Sequence, residues 1–228
     1  MSRKLVVSFS PSARPIIMDK IRNRIHRLSL AIALVLTGAA TALSQNMNTN
    51  HTEIATFGGG CFWCMEAEFQ RIPGVKHVTS GFAGGQTENP TYHDVCTGST
   101  GHAEVTQIEY DPQKISYAKL LDYFWDAHDP TTLNRQGADV GTQYRSVILY
   151  QNDAQKAAAE KSKAEAQKKF NSPIVTQIVP LKKFYKAEDY HQNYYNENSN
   201  EGYCQVVIKP KVEKLEKKLK AEKQLEKP

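Results

Sequence analysis

The chain is poor in the residues that would give it a metal-built or disulfide-built core. Of its 228 residues only four are cysteine and two tryptophan. The four cysteines are Cys61, Cys64, Cys96 and Cys204, and the last two stand alone. A structural zinc site needs a second close pair of Cys or His beside a C-x-x-C, and none is spaced that way. His93, His102, His128 and His191 lack metal-like spacing and read as structural or surface groups. Long apolar runs are also scarce. The strongest, Leu28 to Leu36, is short for a membrane span, and no cysteine follows it to carry a lipid. No internal repeat is visible.

That one apolar run has a context. Lys20, Arg22, Arg24 and Arg27 precede it and the small residues Ala39, Ala40 and Ala42 follow, which is the three-part pattern of a secretory signal peptide. Residues 1–44 are therefore expected to be a leader, cleaved after Ala42 or Ser44, with translation starting at Met1 or Met18. An uncleaved anchor is the alternative. The expected location is exported, periplasmic or otherwise extracytoplasmic. The leader also explains the charge. The whole chain is formally +5, but 1–44 holds seven of its basic residues and one acid, so 22 basic and 23 acidic residues remain. A nearly neutral mature chain gives no support to nucleic-acid binding. Residues 45–52 read as a flexible lead-in, 53–210 as one domain large enough for its own core, and 211–228 as a charged tail.

What the chain does contain is concentrated at Gly58-Gly59-Gly60-Cys61-Phe62-Trp63-Cys64. A β-prone stretch, Ile54–Phe57, leads into three glycines, and a helix-compatible segment from Cys61 to Arg71 follows. A thiol at a strand-to-helix junction meets helix N–H groups and the positive end of the dipole, so a lowered pKa is expected for Cys61. Cys64, three positions on, lies within reach of a disulfide on a helical turn. The flanking Phe62 and Trp63 make the opening apolar. A thioredoxin-like redox pair and a simple buried thiol are the competing readings of the same residues.

Further strands are expected at 75–82, 103–110, 146–150, 175–179 and 205–208, from alternating or β-branched runs. Helices are expected at 116–128, capped by Ser116, and from an Asp153 cap to about Phe170. Residues 129–141 read as a long polar loop, 184–195 as irregular or helical, and the tail from Val212 as a surface helix or frayed end. Strands and helices mix without a strict βαβ rhythm. The class is α+β, a two-layer sandwich.

A series of ordered motifs then narrows the function. Gly60-Cys61-Phe62-Trp63, Gly81-Phe82-Ala83-Gly84-Gly85, Asn89-Pro90-Thr91-Tyr92, Val95-Cys96-Thr97-Gly98 and Thr100-Gly101-His102-Ala103-Glu104 are followed by His128-Asp129-Pro130. Then come Gln136 to Ser146 (QGADVGTQYRS), Tyr190-His191-Gln192 and Gly202-Tyr203-Cys204. Together these resemble the A-type peptide methionine sulfoxide reductases, from about Glu53 to Pro210. The resemblance implies a ferredoxin-like α/β plait with long loops and reduction of methionine-S-sulfoxide, free or in proteins. It implies Cys61 as nucleophile and Phe62 and Trp63 as the holders of the S-methyl group. Tyr92, Glu104 and Tyr144 fall around the sulfoxide oxygen, and Asp139 is a buried carboxylate of the same site. No bound cofactor or metal is expected; the reductant is an external thioredoxin-like dithiol, and the enzyme a monomer.

The chemistry of these residue types agrees with those roles. A thiolate is a soft nucleophile suited to sulfur. A carboxylic acid kept neutral by burial can protonate the departing oxygen, and tyrosine hydroxyls can donate to it as charge builds. Cys61 would become a sulfenic acid, and a second thiol would close a disulfide with it. Cys64 is the local candidate for that resolving thiol. Cys204 resembles the C-terminal resolving cysteine of other family members and is the alternative or a relay, while Cys96 resembles a position with no required redox role.

Overall fold

The computed structural model describes residues 51–225. The expected leader over 1–44 and most of the lead-in lie outside the described residues. Local chemistry places the first elements where the sequence suggests. Strand β1 (Glu53–Gly58) runs into helix α1 (Phe62–Phe69), with Cys61 as its N-cap residue. Strand β2 (Val75–Ala83) follows, then a short helix α2 (Tyr92–Cys96) and strand β3 (Ala103–Tyr110). Helix α2 was not expected, yet its start is well signalled: Thr91 Oγ1 accepts from Asp94 N–H, and the Asp94 carboxylate accepts from Thr91 N–H, a reciprocal box that satisfies two otherwise orphaned donors.

Helix α3 (Tyr117–Ala127) is capped by Ser116, whose hydroxyl accepts from Lys119 N–H at 3.1 Å. The loop after it holds a small hairpin, β4 (Arg135–Gln136) with β5 (Asp139–Val140). Strand β6 (Val147–Tyr150) precedes helix α4 (Asp153–Ala166). Asn152, rather than Asp153, caps α4, since its side chain accepts from Gln155 N–H at 2.9 Å; Asp153 instead lies in the first turn, where the helix dipole favours its charge. Strand β7 (Gln177–Pro180) and the unexpected edge strand β8 (Phe184–Lys186) come next. A short helix α5 (Tyr194–Glu197) and a long α6 (Lys209–Leu225) end the described chain.

The six-stranded sheet has the order β7-β6-β1-β3-β2-β8, antiparallel throughout except for the β6–β7 pair. The fold is thus mixed α+β, with helices on one face. Along β3 the side chains alternate between faces. Glu104 shares the helix-covered face with Ile108 and Tyr110, while Ala103 and Val105 join Val147 and Leu149 on the other. The main core packs α1 and α3 on that first face. Phe57 meets Phe124 at 5.1 Å and Phe69 at 5.9 Å between ring centroids.

The expected last strand at 205–208 is overturned. Cys204–Ile208 is a π-helical turn that runs straight into α6. Val206, Val207 and Ile208 favour strands in isolation, but here Ile208 and Val212 pack beside Cys64 and Ala67 of α1, and that tertiary contact sets the conformation. Helix α6 is docked by Leu215 in the main core, by Lys119 with Glu222 at 2.8 Å, and by Lys218 with Asp126. Among the described residues no helix is long and apolar enough to cross a membrane.

Candidate active site

The glycine run brings Cys61 to the C-terminal edge of β1. Gly60 has φ +96°, and a Cβ there would lie 2.7 Å from the Gln136 side chain, so only glycine allows both the turn and the close approach of the 129–141 loop. Cys61 is buried, with Phe62, Cys64, Ala67, Phe82, Val95 and Cys204 in one cluster. Tyr92, Tyr144 and Tyr203 pack on its margin.

Glu104 is the second key group. Its side chain is 1 % exposed, and Oε2 accepts the Phe62 N–H at 3.0 Å. Burial pushes its pKa up to about 8, only partly opposed by that hydrogen bond, so near neutral pH it is mainly a neutral acid. The bond has a further effect on Cys61. Phe62 N–H goes to Glu104, and the N–H groups of Cys64 and Met65 go to the Cys61 carbonyl. These three donors are thus spent on oxygen, not on sulfur. The expectation of a lowered Cys61 pKa is corrected accordingly: burial raises it well above the ordinary cysteine range, and the hydrogen bond with Cys64 and the charge of Glu104 add to the rise. Cys64 moves the other way, because the Cys61 thiol hydrogen-bonds to it; burial opposes, and Lys211 assists.

The remaining expected residues are brought to the same place, with one difference. Tyr92 begins α2 and stacks on Phe62 at 6.3 Å, its N–H held by Glu188 Oε1 at 3.0 Å. Burial raises the pKa of its hydroxyl, and the neighbouring Cys96 adds to the rise. Tyr144 ends a 3-10 turn (Thr142–Tyr144); burial raises its pKa, with further contributions from Glu104 and Cys61. Asp139, expected to be buried, is only half-buried on the β4–β5 hairpin, because that hairpin is a surface element. Cys204 is buried in the Cys61 cluster, and burial raises its pKa. All four thiols are free.

Two residues not expected as site residues belong here. Tyr203 donates its hydroxyl to Asp139 Oδ2 at 2.7 Å, and the Tyr203 hydroxyl oxygen lies 4.0 Å from Cys64 Sγ. His191 is not at the surface; it is buried between Phe62, at 5.1 Å, and Tyr92, at 4.3 Å between ring centroids. Both His191 nitrogens and Trp63 Nε1 are buried without a hydrogen-bond partner among the described residues. Trp63 itself lies flat on Tyr194, 3.7 Å away and 6° from parallel. The sequence signal for these residues was their place in the Tyr190-His191-Gln192 and Gly202-Tyr203-Cys204 blocks. Among the described residues no group of three His, Cys, Asp or Glu is arranged to hold a metal ion.

A buried thiol beside a buried neutral acid in an aromatic enclosure can attack a polarisable centre and protonate what leaves it. The family pattern described as "Peptide methionine sulfoxide reductase" matches residues 53–224. The chain belongs to the peptide methionine sulfoxide reductase family. The match passes Pro210, where the sequence motifs stop, and takes in most of α6. Among named relatives, the "Peptide methionine sulfoxide reductase MsrA" of Leptospira borgpetersenii is 57% identical over 162 residues, 71% of this chain and 92% of that protein. The protein of that name from Saccharolobus solfataricus is 53% identical over 165 residues, 72% of this chain and 93% of its own length. Solved structures agree. Reduced Mxr1 of Saccharomyces cerevisiae superposes with a TM-score of 0.64 at 38% identity, covering 67% of this chain and 89% of that one. The methionine sulfoxide reductase A of Corynebacterium diphtheriae gives 0.62 at 38% identity, covering 69% and 79%. The chain is accordingly an A-type methionine sulfoxide reductase, an oxidoreductase.

Proposed function

We propose that this reductase converts methionine-S-sulfoxide, free or within proteins, to methionine through Cys61, with Glu104 as the acid. The observation that carries the reading is the Glu104 carboxyl: buried, neutral near pH 7, and bonded to the Phe62 N–H next to Cys61. Phe62 and Trp63 hold the S-methyl group against their rings. The Cys61 sulfur attacks the sulfoxide sulfur while Glu104 protonates the oxygen, and Tyr92 and Tyr144 donate to that oxygen as charge gathers on it. The S–O bond of the substrate breaks, the oxygen passes to Cys61 as a sulfenic acid, and methionine leaves. Glu104 recovers the proton that the Cys61 thiol gives up, so the step balances with both groups neutral at the start. This order of events removes the need for a low resting thiol pKa.

A second thiol then condenses with the sulfenic acid, releasing water and forming a disulfide. Cys64 is the first resolver, since it lies one helical turn from Cys61 in the same buried cluster, and Cys204 relays the disulfide outward from its place in that cluster. The Tyr203 hydroxyl, between Asp139 and Cys64, is placed to return a proton to a departing thiolate. An external thioredoxin-like dithiol completes the cycle. The enzyme is read as a monomer, exported by the leader over 1–44 with catalytic residues in 53–210 and a charged tail over 211–228. The finer fold reading, a ferredoxin-like plait, is supported by the succession β1-α1-β2-β3-α3-β6 with the four strands in the order β6-β1-β3-β2.

The test is epimer-resolved turnover of methionine sulfoxide with dithiothreitol. The parent is expected to consume the S epimer only. Cys61→Ser is expected to lower turnover at least ~1,000-fold, and retained activity sinks the reading. For the resolver, Cys64→Ser treated with one equivalent of substrate is expected to accumulate Cys61 sulfenic acid and to recycle at least ~10-fold more slowly with a thioredoxin-like reductant. Recycling at the parent rate assigns first resolution to Cys204.

A further inference from the structure

Helix α1 carries a second buried carboxyl that the chemistry above does not use. Glu66 lies one helical turn after Trp63 and is 1 % exposed. Its Oε1 accepts the backbone N–H of Asn193 at 2.9 Å. Asn193 adopts the left-handed conformation, φ 54° and ψ 26°, and begins α5 with no side-chain cap of its own. The next residue is Tyr194, whose ring lies flat on Trp63. These contacts close a circuit: Trp63 and Glu66 share one face of α1, Glu66 holds Asn193, and the adjoining Tyr194 returns to Trp63.

The same segment is fixed separately at Gln192, whose amide exchanges hydrogen bonds of 3.0 Å with both backbone groups of Ser80 on β2. Asn193 is thus the joint between a part anchored to the sheet and a part anchored to α1. Asparagine enters the left-handed region more readily than most non-glycine residues; at this joint its N–H is held by the Glu66 carboxyl and its side-chain oxygen accepts from Asn196 Nδ2 at 2.6 Å. An apolar side chain at 66 could fill the volume, but it would leave the Asn193 N–H without an acceptor.

We propose that Glu66 is a positioning residue that sets the Trp63–Tyr194 wall of the substrate pocket, acting through Asn193. The inference rests on the reading that Trp63 lines the methyl-binding pocket. What Glu66 supplies is an acceptor at a fixed reach, not a charge. An aspartate is one methylene too short for Asn193, whereas a glutamine keeps a carbonyl oxygen at the same place. Without the contact, Asn193 relaxes toward negative φ and Tyr194 leaves Trp63. The substrate then binds a looser pocket while Cys61 and Glu104 keep their geometry.

Steady-state kinetics on methionine-S-sulfoxide with dithiothreitol test this. Glu66→Asp is expected to raise KM about 10-fold with kcat within about threefold of the parent, because uniform binding is lost rather than transition-state contact. Glu66→Gln is expected to stay within about twofold in both, and the rate of Cys61 alkylation by iodoacetamide to be unchanged in both variants. Asn193→Ala, which disfavours the left-handed joint and removes its bond with Asn196 while leaving the α1 side chains unchanged, is expected to raise KM in the same way and keeps the test open should Glu66→Asp fail to fold. Combining Glu66→Asp with Tyr194→Leu is expected to add nothing to Tyr194→Leu alone. An unchanged KM in Glu66→Asp and Asn193→Ala, a fall in kcat at constant KM, or additive effects in the double variant each overturn the proposal. Trp63→Leu separates the two layers. If it leaves KM unchanged, the methyl-pocket reading itself fails; if it raises KM while Glu66→Asp does not, only the role of Glu66 falls.

Discussion

The molecule has two buried clusters on the helix-covered side of its sheet, and α1 contributes to both. Met65 and Phe69 enter the cluster of Phe57, Ile108, Leu120 and Phe124; Phe62, Cys64 and Ala67 enter the one that holds Cys61 and Cys204. In the first, polar groups at the edge find partners. Trp125 Nε1 donates to Ser162 at 2.7 Å, and the hydroxyls of Tyr110 and Tyr123 each donate to a carboxylate at 2.6 Å. Tyr117 and the neighbouring Glu68 Oε2 are its exceptions among the described residues. In the second, the Trp63 indole and the His191 imidazole end without hydrogen-bond partners among the described residues, thiols pack against tyrosines, and Glu104 is held uncharged near neutral pH. Equal burial therefore serves two ends. One cluster pairs most of the polar groups at its edge, and the other keeps donors and protons free for a polar, apolar-skirted guest such as a sulfoxide.

Substitutions can break or sharpen that contrast. The largest effect is expected in the paired cluster. Phe124→Ala is expected to cost about 3–5 kcal/mol of stability, read from chemical denaturation, while the specific activity of the folded fraction stays within about twofold. A comparable loss of kcat in folded protein would erase the distinction between the clusters. Next comes Glu104→Gln, expected to lower kcat by about 100- to 1,000-fold. Its pKa is raised, to about 8, so the acid form dominates below that value and is lost as pH rises through it. The parent kcat is expected to fall through that range, and the variant to lose this limb. Linkage has the same sign: the stability contributed by the protonated carboxyl is complete below the ordinary carboxylate range and disappears as pH passes about 8. Thermal melts at pH 9 are therefore expected to place Glu104→Gln above the parent; a lower melting temperature would mean that the carboxyl is structural. The smallest effect is expected for Tyr203→Phe, which removes the hydrogen bond to Asp139. A fall of about 10-fold in turnover, with a melting temperature near that of the parent, would place Tyr203 among the open groups.

What could be read from the sequence followed the range of the forces involved. The β3 alternation, the Ser116 cap and the glycines before Cys61 are decided within a few residues, so they were legible. Strand β8 is three residues long and exists because β2 offers it an edge; nothing local announces it. Residues 204–208 carry a strand-like run that packing against α1 converts into helix. In the site, the motif series pointed to Cys61, Glu104, Tyr92, Tyr144 and Asp139. The resting state of Cys61 was not legible, because it depends on which oxygen takes each N–H of the α1 terminus. The same holds for Tyr203, whose partner Asp139 is 64 positions away.

The π turn at Cys204–Ile208 has a mechanical consequence. A π turn carries an extra residue relative to an α-helical one. Re-pairing it as α-helix advances the chain before it by about 1.5 Å and rotates it by roughly 100°. Everything beyond Lys209 is moored by Leu215, Lys218 and Glu222, so the whole displacement falls on Tyr203 and Cys204. Such a re-pairing would turn the Cys204 sulfur and lift the Tyr203 hydroxyl from Asp139 in a single movement.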